Sequence, residues 1–257
     1  MVLKVEVLIL GCGSSGGTPA IGCGCPTCTS GDPRNSRTRS SAVLSVGGLN
    51  FLIDSGPDLR GQALREGLTQ VDAVLYTHPH ADHLNGIDDL RAFCYLNRAP
   101  LPIFGNEYTM RDIETRFHYT TLPPGPWWDK PSLQTTAVSG PFSHRGIEVI
   151  PIPVWHGKGA IFGYRIGRLA YITDVSDIPP ESYRLLQDLD VLLIDCLREQ
   201  PHYTHFGVEQ AIEASRRIGA RRSVFIHMTH ELEYHALSQR LPEGMEVAFD
   251  GMRLASE

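Results

Sequence analysis

One stretch decides the fold of this chain: Tyr76-Thr77-His78-Pro79-His80-Ala81-Asp82-His83-Leu84-Asn85-Gly86. It contains the pattern His-x-His-x-Asp-His between a predicted strand and a predicted helix. His78 and His80 are two positions apart in extended chain, so their imidazoles point to the same side. Asp82 and His83 turn toward a second position as the helix begins. The pattern therefore predicts two neighbouring ions with nitrogen and oxygen ligands, which suit Zn, Mn or Fe.

The remaining ligands must come from other segments, because two ions normally need about seven ligands. The sequence offers three candidates, and each directly follows a predicted strand. They are His156, Asp174 and His227. A single histidine at a strand end is more often structural, but three such residues in a chain that already carries the first motif favour metal binding.

Strand-like and helical segments alternate along the 257 residues. The predicted strands are 5–10, 42–46, 50–53, 73–77, 148–154, 162–166, 169–173, 191–195 and 223–226. The predicted helices are 58–66, 83–95, 108–117, 180–186, 208–218 and 232–241. Both halves start with hairpin-like strands and continue as strand–helix alternation, which predicts an α/β fold of two packed sheets with helices outside, a four-layer αββα arrangement. Because no linker divides the chain, residues 1–257 are predicted to form a single domain.

The overall charge restricts the class of partner. The formal net charge is −6, which argues against a protein that coats extended nucleic acid, since binding phosphates by charge alone requires a basic surface. A small anionic substrate remains compatible, because metal ions supply positive charge locally. The early apolar stretch from Val2 to Leu10 contains Lys4 and Glu6, so it is a poor signal or membrane segment. We expect a cytoplasmic protein with no membrane partner.

Three cysteines lie close together in Gly22-Cys23-Gly24-Cys25-Pro26-Thr27-Cys28. Such spacing in a cytoplasmic chain favours metal binding over disulfides. The thiols suit three ligands of a tetrahedral structural zinc, and His230, three residues beyond His227, is a candidate for the fourth. Reduced thiols without a metal are the alternative.

With these motifs assembled, the sequence resembles the metallo-β-lactamase superfamily over nearly its whole length. The strand-end aspartate of that family matches Asp54 in Phe51-Leu52-Ile53-Asp54-Ser55-Gly56, where its implied role is to orient the metal ligands. The resemblance implies the following ligand set: a first ion on His78, His80 and His156, a second on Asp82, His83 and His227, and Asp174 bridging both. Common di-zinc β-lactamases have a cysteine in place of Asp174, so this departure points toward phosphodiester chemistry.

Within the superfamily, the chain resembles the cyclic phosphodiesterase of the carbon–phosphorus lyase pathway. The shared features are Gly-Cys-x-Cys-x-x-Cys, Thr-His-x-His-x-Asp-His, the pair His227 and His230, and Phe249-Asp250-Gly251-Met252. This resemblance implies hydrolysis of cyclic ribose phosphates or 2′,3′-cyclic nucleotides by a hydroxide held between two Mn or Zn ions, with Asp82 and Asp174 at the reacting centre. It also implies that His205, in Thr204-His205-Phe206-Gly207, is the general acid, with neighbouring His202 the weaker candidate.

Two further features keep several interpretations open. Lys158 lies two residues after His156 and is a candidate contact for a substrate phosphate, although most loop lysines are simply solvated. Residues 122–132 contain four prolines and two tryptophans. That segment is predicted to be a stiff loop that packs against the domain, covers the substrate or forms a contact in a homodimer.

Other functions of the superfamily remain as alternatives. A tRNA 3′-end endonuclease also hydrolyses phosphodiesters, but it would need a basic, protruding arm to bind RNA, and this sequence contains no such insertion. A thioesterase or glyoxalase-type hydrolase shares the metal site, but neither the cysteines nor His205 support it. A non-enzymatic cofactor carrier, as found among proteins of pyrroloquinoline quinone biosynthesis, is the third alternative, and the complete ligand set weighs against it.

Overall fold

Two seven-stranded sheets form the centre of the structure. The computed structural model describes residues 3–124, 126–127 and 129–257, so Gly125 and Trp128 of the proline- and tryptophan-rich loop lie outside the described residues. The first sheet has the strand order β14-β1-β2-β3-β4-β5-β6, and the second has β13-β12-β11-β10-β9-β8-β7. The strands are β1 Glu6–Gly11, β2 Ser41–Val46, β3 Leu49–Ile53, β4 Ala73–Leu75, β5 Leu101–Gly105, β6 Leu133–Ala137, β7 Phe142–His144, β8 Ile147–His156, β9 Gly159–Ile166, β10 Leu169–Ile172, β11 Val191–Asp195, β12 Arg222–Ile226, β13 Met245–Val247 and β14 Arg253–Ala255.

Helices flank the sheets. They are α1 Leu59–Glu66, α2 Ala81–Leu84, α3 Arg91–Asn97, α4 Glu107–Arg116, α5 Pro180–Leu185, α6 Val208–Ile218 and α7 Tyr234–Ser238, with short 3-10 helices at Pro33–Asn35, Ile87–Leu90 and His118–Thr120. Among the described residues, no helix has both the length and the apolar character that crossing a membrane requires.

Alternation of apolar side chains fixes the layers. In β1, Val7 and Ile9 join the large core cluster that contains residues of both sheets, while Leu8 and Leu10 join a smaller cluster with α1, α3 and α4. Because successive strand residues point to opposite faces, a wholly apolar strand must be covered on both sides. Helix α6 covers the other sheet with one apolar face that includes Ile212. The predicted αββα class is therefore confirmed.

Some predicted elements are wrong, for identifiable reasons. The single helix over 83–95 is interrupted, because α2 ends at Leu84 and α3 begins only at Arg91. Between them, the amide of Gly86 donates to the carbonyl of Ser55 at 2.8 Å, a contact that a continuing helix would not allow. The sequence patterns also fail to predict β5, β6, β7, β13 and β14. Four of these are edge strands, which are short and polar, and β5 contains Pro102.

The topology brings many strand ends to one edge. Strands β3 and β4 run parallel in the first sheet, and β10, β11 and β12 run parallel in the second. Parallel neighbours end at the same edge of a sheet, which is where open α/β sheets place their functional groups. Asp54, Thr77, Asp174, Asp195 and His227 lie at or just after the ends of these five strands.

We expect Gly86→Ala to destabilise the fold, because an added Cβ would overlap the carbonyl oxygen of Gly56. Overpacking of this kind costs on the order of 1–3 kcal/mol of unfolding free energy. Gly61→Ala is the matched control, since Gly61 lies in α1 with open space around its Cα, and it should gain about 0.5–1 kcal/mol. Urea denaturation of both variants would test the expectation, and equal midpoints would contradict it.

Candidate metal-dependent active site

Backbone geometry at three strand ends turns side chains toward one point. Asp54, Asp174 and His227 have φ values of 58°, 57° and 60°, in the left-handed region that residues other than glycine rarely adopt. Such strain persists only where surrounding contacts over-determine it, and it concentrates at functional sites. Each side chain is almost fully buried. The fold therefore holds these three groups in a fixed, costly arrangement.

Four buried or half-buried imidazoles share one orientation. The Nδ1 atom of His83 donates to Asp54 Oδ2 at 2.7 Å, and that of His78 lies 2.9 Å from the Thr77 hydroxyl, which itself donates to Asp54. In each case an oxygen holds Nδ1, which fixes the tautomer and leaves Nε2 with a free lone pair.

The other two histidines follow the same rule. The Nδ1 atom of His156 donates to the backbone carbonyls of Asp174 and Thr204, at 2.8 and 2.9 Å. The Nδ1 atom of His227 lies 3.2 Å from the hydroxyl of Ser40, which donates to the Gly13 carbonyl. Neither Ser40 nor Thr77 carries a sequence signal that identifies it as a supporting residue.

The donor atoms form two groups. Those of His78, His80 and His156 lie within 4.8 Å of one another, and so do those of Asp82, His83, Asp174 and His227. The Asp174 carboxylate lies between the groups. Its Oδ1 is 3.8 Å from His78 Nε2, while its Oδ2 is 3.2 Å from His83 Nε2. The structure thus brings together all seven side chains that the family resemblance implies as ligands.

The chemistry of this donor set fits two divalent cations. The Nε2 atoms of His78, His83 and His227 are buried without a hydrogen-bond partner among the described residues. Buried polar atoms are nearly always paired, so three unpaired nitrogens in one cluster of potential ligands require an explanation, which bound cations would supply. Burial lowers the pKa of His78 and His156 and takes that of His227 to about 4, which favours the neutral imidazoles that coordinate metals.

His83 shows the opposite electrostatic effect. Burial disfavours its charged form, but the carboxylates of Asp174, Asp82 and Asp54 outweigh that penalty and raise its pKa well above the ordinary value. The three carboxylates therefore favour positive charge at this point, which a divalent cation placed among the same groups would supply.

His205 lies beside this centre with a carboxylate behind it. Its Nδ1 is 3.2 Å from Asp195 Oδ2, and its Nε2 is 3.9 Å from Asp174 Oδ1. Burial raises the pKa of Asp195 to about 6. For His205, burial opposes protonation, but the hydrogen bond and charge of Asp195 outweigh it and raise the pKa. Sequence reasoning missed Asp195, although its place at the end of an apolar strand is the signal that identified Asp174.

A cavity of about 780 Å³ opens over the two groups of donors. His205, Asn106, Tyr108 and Tyr203 are among the residues that line it. Lys158 is exposed in the β8–β9 turn and is not among the described lining residues, although neighbouring Gly159 is. The described part of the 122–132 loop does not line the cavity either.

The cysteine cluster forms a separate group of donors. Cys23, Cys25, Cys28 and His230 have donor atoms within 4.8 Å of one another. The thiols of Cys23 and Cys25 lie 3.4 and 3.3 Å from His230 Nδ1. The hydrogen bond with His230 is the main cause that lowers the pKa of Cys25 to about 6, so a thiolate is available at neutral pH. Three thiols and one imidazole in this arrangement fit a tetrahedral zinc.

Comparison with known proteins identifies the class of this chain. The family profile described as "Beta-lactamase superfamily domain" matches residues 49–228, and the chain belongs to this superfamily, whose metallo-β-lactamase fold it shares. A crystal structure described as a new diphosphatase from the PhnP family has a TM-score of 0.93 and 36% identity, and the alignment covers 100% of this chain and 98% of that one. The resemblance predicted from the motifs around His78 is confirmed.

Two curated relatives add to the comparison. An octanoyltransferase of Porphyromonas gingivalis (strain ATCC BAA-308 / W83) is 36% identical over 253 residues, which are 96% of this chain and 51% of the relative. The chain therefore spans about half the length of that relative. A coenzyme PQQ synthesis protein B of Methylobacterium sp. (strain 4-46) is 25% identical, and the alignment covers 97% of this chain and 99% of the relative.

We expect Cys25→Ser to lower both zinc content and thermal stability, because a structural ion contributes its binding energy to folding. The matched control is Cys94→Ser, which makes the same sulfur-to-oxygen change in a buried thiol outside the cluster. Elemental analysis should show roughly one metal ion fewer per chain for Cys25→Ser only. Equal metal contents in the two variants would contradict a zinc at the cysteine cluster.

Proposed function

We propose that the protein is a metal-dependent hydrolase of small phosphate diesters, such as cyclic ribose phosphates or 2′,3′-cyclic nucleotides. The observation that carries this proposal is the Asp174 carboxylate between two groups of imidazoles, with Oδ1 3.8 Å from His78 Nε2 and Oδ2 3.2 Å from His83 Nε2. In this proposal, His78, His80 and His156 hold one divalent ion, while Asp82, His83 and His227 hold the other. Asp174 contacts both, and Asp54 orients His83.

The two ions, Mn or Zn, would provide an activated water and neutralise charge on the phosphoryl oxygens when bound. The protein determines how much positive charge remains for the substrate. Asp82 and Asp174 are the carboxylates among the proposed ligands, and the other five ligands are imidazoles. A small positive excess therefore remains, which suits a phosphate diester with its single negative charge.

The pair His205–Asp195 supports an alkoxide leaving group. An alkoxide is a poor leaving group that needs a proton as the bond breaks, and a positioned acid typically contributes about 10²–10⁴-fold to such a step. Against the effect of burial, Asp195 raises the pKa of His205, which favours the protonated ring that a general acid requires, and the contact between Nδ1 and Asp195 leaves Nε2 3.9 Å from Asp174 Oδ1. A thioester hydrolase has less need of this acid, because a thiolate leaves without a proton.

Cavity shape and charge favour small substrates over RNA. The volume of about 780 Å³ accommodates a nucleotide-sized ligand. Extended nucleic acid requires basic side chains along its path, while the net charge of this chain is −6. The tRNA 3′-end endonuclease alternative is therefore the weaker candidate. Similarity to a PhnP-family diphosphatase adds a diphosphate to the substrates worth testing.

The first test is a hydrolysis assay of the purified protein with added Mn or Zn, together with elemental analysis. The substrates are bis(p-nitrophenyl) phosphate, a 2′,3′-cyclic nucleotide and a nucleoside diphosphate. We expect about three metal ions per chain and diester hydrolysis that chelation abolishes. Bound metals without hydrolysis of any diester would overturn the proposal and favour a carrier role.

We expect His205→Ala to lower kcat roughly 100-fold or more while metal content stays unchanged. Asp195→Asn should move kcat in the same direction, because an amide cannot balance a protonated His205. Removing that carboxylate lowers the pKa of His205. The loss of activity on the alkaline side, where His205 gives up its proton, should therefore occur at lower pH in Asp195→Asn than in the wild type. Stopped assays across pH 5–9 measure this shift.

The same variants separate catalysis from coordination. A ring nitrogen of His205 also lies within 4.8 Å of donor atoms of His156 and Asp174, so a role as a metal ligand predicts metal loss in His205→Ala. Bis(p-nitrophenyl) phosphate provides a second control, because its leaving group, p-nitrophenolate, departs without a proton. Equal losses on p-nitrophenyl and cyclic nucleotide substrates would contradict the general-acid role.

A further inference from the structure

Two tyrosines at the cavity present unusually exposed rings. Tyr108 is 70% exposed and Tyr203 is 81% exposed, yet both line the cavity that contains the proposed metal ligands. Large aromatic side chains on a protein surface lose favourable burial, and they are enriched where a ligand covers them. Their rings therefore offer apolar area within the cavity that holds the reacting centre.

The backbone that carries Tyr203 is tied to a metal ligand. His156 Nδ1 donates to the carbonyl of the next residue, Thr204, at 2.9 Å. The Tyr203 ring packs on the ring of His202, with centroids 4.5 Å apart, and His202 in turn contacts the Thr204 hydroxyl at 2.9 Å. Tyr203 is thus held at its base while most of its ring remains uncovered.

Tyr108 is also fixed through its backbone. It lies in the first turn of α4, where the Asn106 side chain accepts a hydrogen bond from the amide of Thr109 at 2.8 Å. The Asn106 amide group donates to the carbonyl of Ala160 at 3.3 Å, which ties the start of the helix to β9. A tyrosine on a fixed backbone has only its side-chain torsions to order when a ligand binds, which keeps the entropic cost low.

Beyond the proposed metal ligands and His205, the described lining of the cavity offers no basic side chain for a second phosphate. Among the described residues that line it, there is no arginine or lysine. Two arginines contact backbone at its edge, Arg39 at Ser15 and Arg116 at Pro79. Both are already paired with carboxylates, Arg39 with Asp58 and Arg116 with Asp112. Beyond the metal centre, the cavity therefore favours an uncharged group.

We propose that Tyr108 and Tyr203 form a stacking site for an uncharged aromatic group, such as a nucleobase, attached to the phosphate ester. The site makes these two residues specificity determinants. It rests on the proposed function, since the phosphate lies at the metal centre while the aromatic group contacts the tyrosines. Base–aromatic stacking is worth a factor of roughly 10 or more in binding.

The test compares two substrates that share the same reacting ring, 2′,3′-cyclic AMP and methyl riboside 2,3-cyclic phosphate, which lacks the base. Tyr203→Ala and Tyr108→Ala should each lower kcat/KM for cyclic AMP by roughly 10-fold, mainly through KM, and barely affect the methyl riboside. Tyr203→Phe should retain the preference, because stacking does not need the hydroxyl. Tyr95→Ala, a half-exposed tyrosine of α3 outside the cavity, should change neither substrate.

Adenosine binding to the metal-loaded protein, measured by saturation-transfer NMR, provides a readout that does not require turnover. The wild type should bind adenosine and Tyr203→Ala should not, even if no diester is hydrolysed and the proposed function fails. Hydrolysis of both substrates with equal kcat/KM, unchanged by either alanine variant and without adenosine binding, would overturn the stacking site and leave the proposed function intact.

Discussion

The arrangement of the proposed metal site depends on one buried negative charge. Asp174 is almost fully buried at the end of β10, where an isolated carboxylate would be very costly. Burial alone would raise its pKa, but the imidazoles of His227, His83 and His78 outweigh burial and hold the pKa well below the ordinary value. Positive charge must therefore lie beside it, and cations bound there would supply it. The potential ligands come from the strand ends of both sheets, which makes the packing of the two sheets a condition for the site.

The left-handed backbone at Asp174 illustrates how that condition is met. Its carbonyl accepts a hydrogen bond from His156 Nδ1, so one proposed ligand stabilises the strained backbone of another. At Asp54, the carbonyl accepts from the hydroxyl of Ser41 while the amide donates to Leu75. Strain of about 1–3 kcal/mol per residue is offset by contacts that work only in this conformation. The ligand positions are consequently less adjustable than loop residues would be.

Local sequence carried enough information for part of this arrangement. His78, His80, Asp82 and His83 lie within one strand–helix junction, so their spacing alone predicts convergence. Ser40 has no such local pattern. Asp195 does end an apolar strand, but its role, like that of Ser40, arises only when β11 and the loop before β2 pack beside the histidines. For the same reason, the apolar periodicity predicted a helix that continues past Gly86. In the structure, a contact between Gly86 and Ser55, which belongs to another segment, interrupts that helix. Long-range contacts therefore determine what sequence reasoning missed.

One shared segment connects the cysteine cluster to the proposed metal centre. Arg37, which is fully buried, donates to the carbonyls of Thr229 and Leu232 on either side of His230, and so ties that segment to the early loop. The same loop carries Ser40, which orients His227, whereas His83 is oriented by Asp54 at the end of β3. A zinc at the cysteines would fasten the loop and His230 a second time. A zinc there would therefore affect the orientation of His227 more than that of His83. His83 is held by Asp54, a residue of the first sheet, and does not depend on the loop.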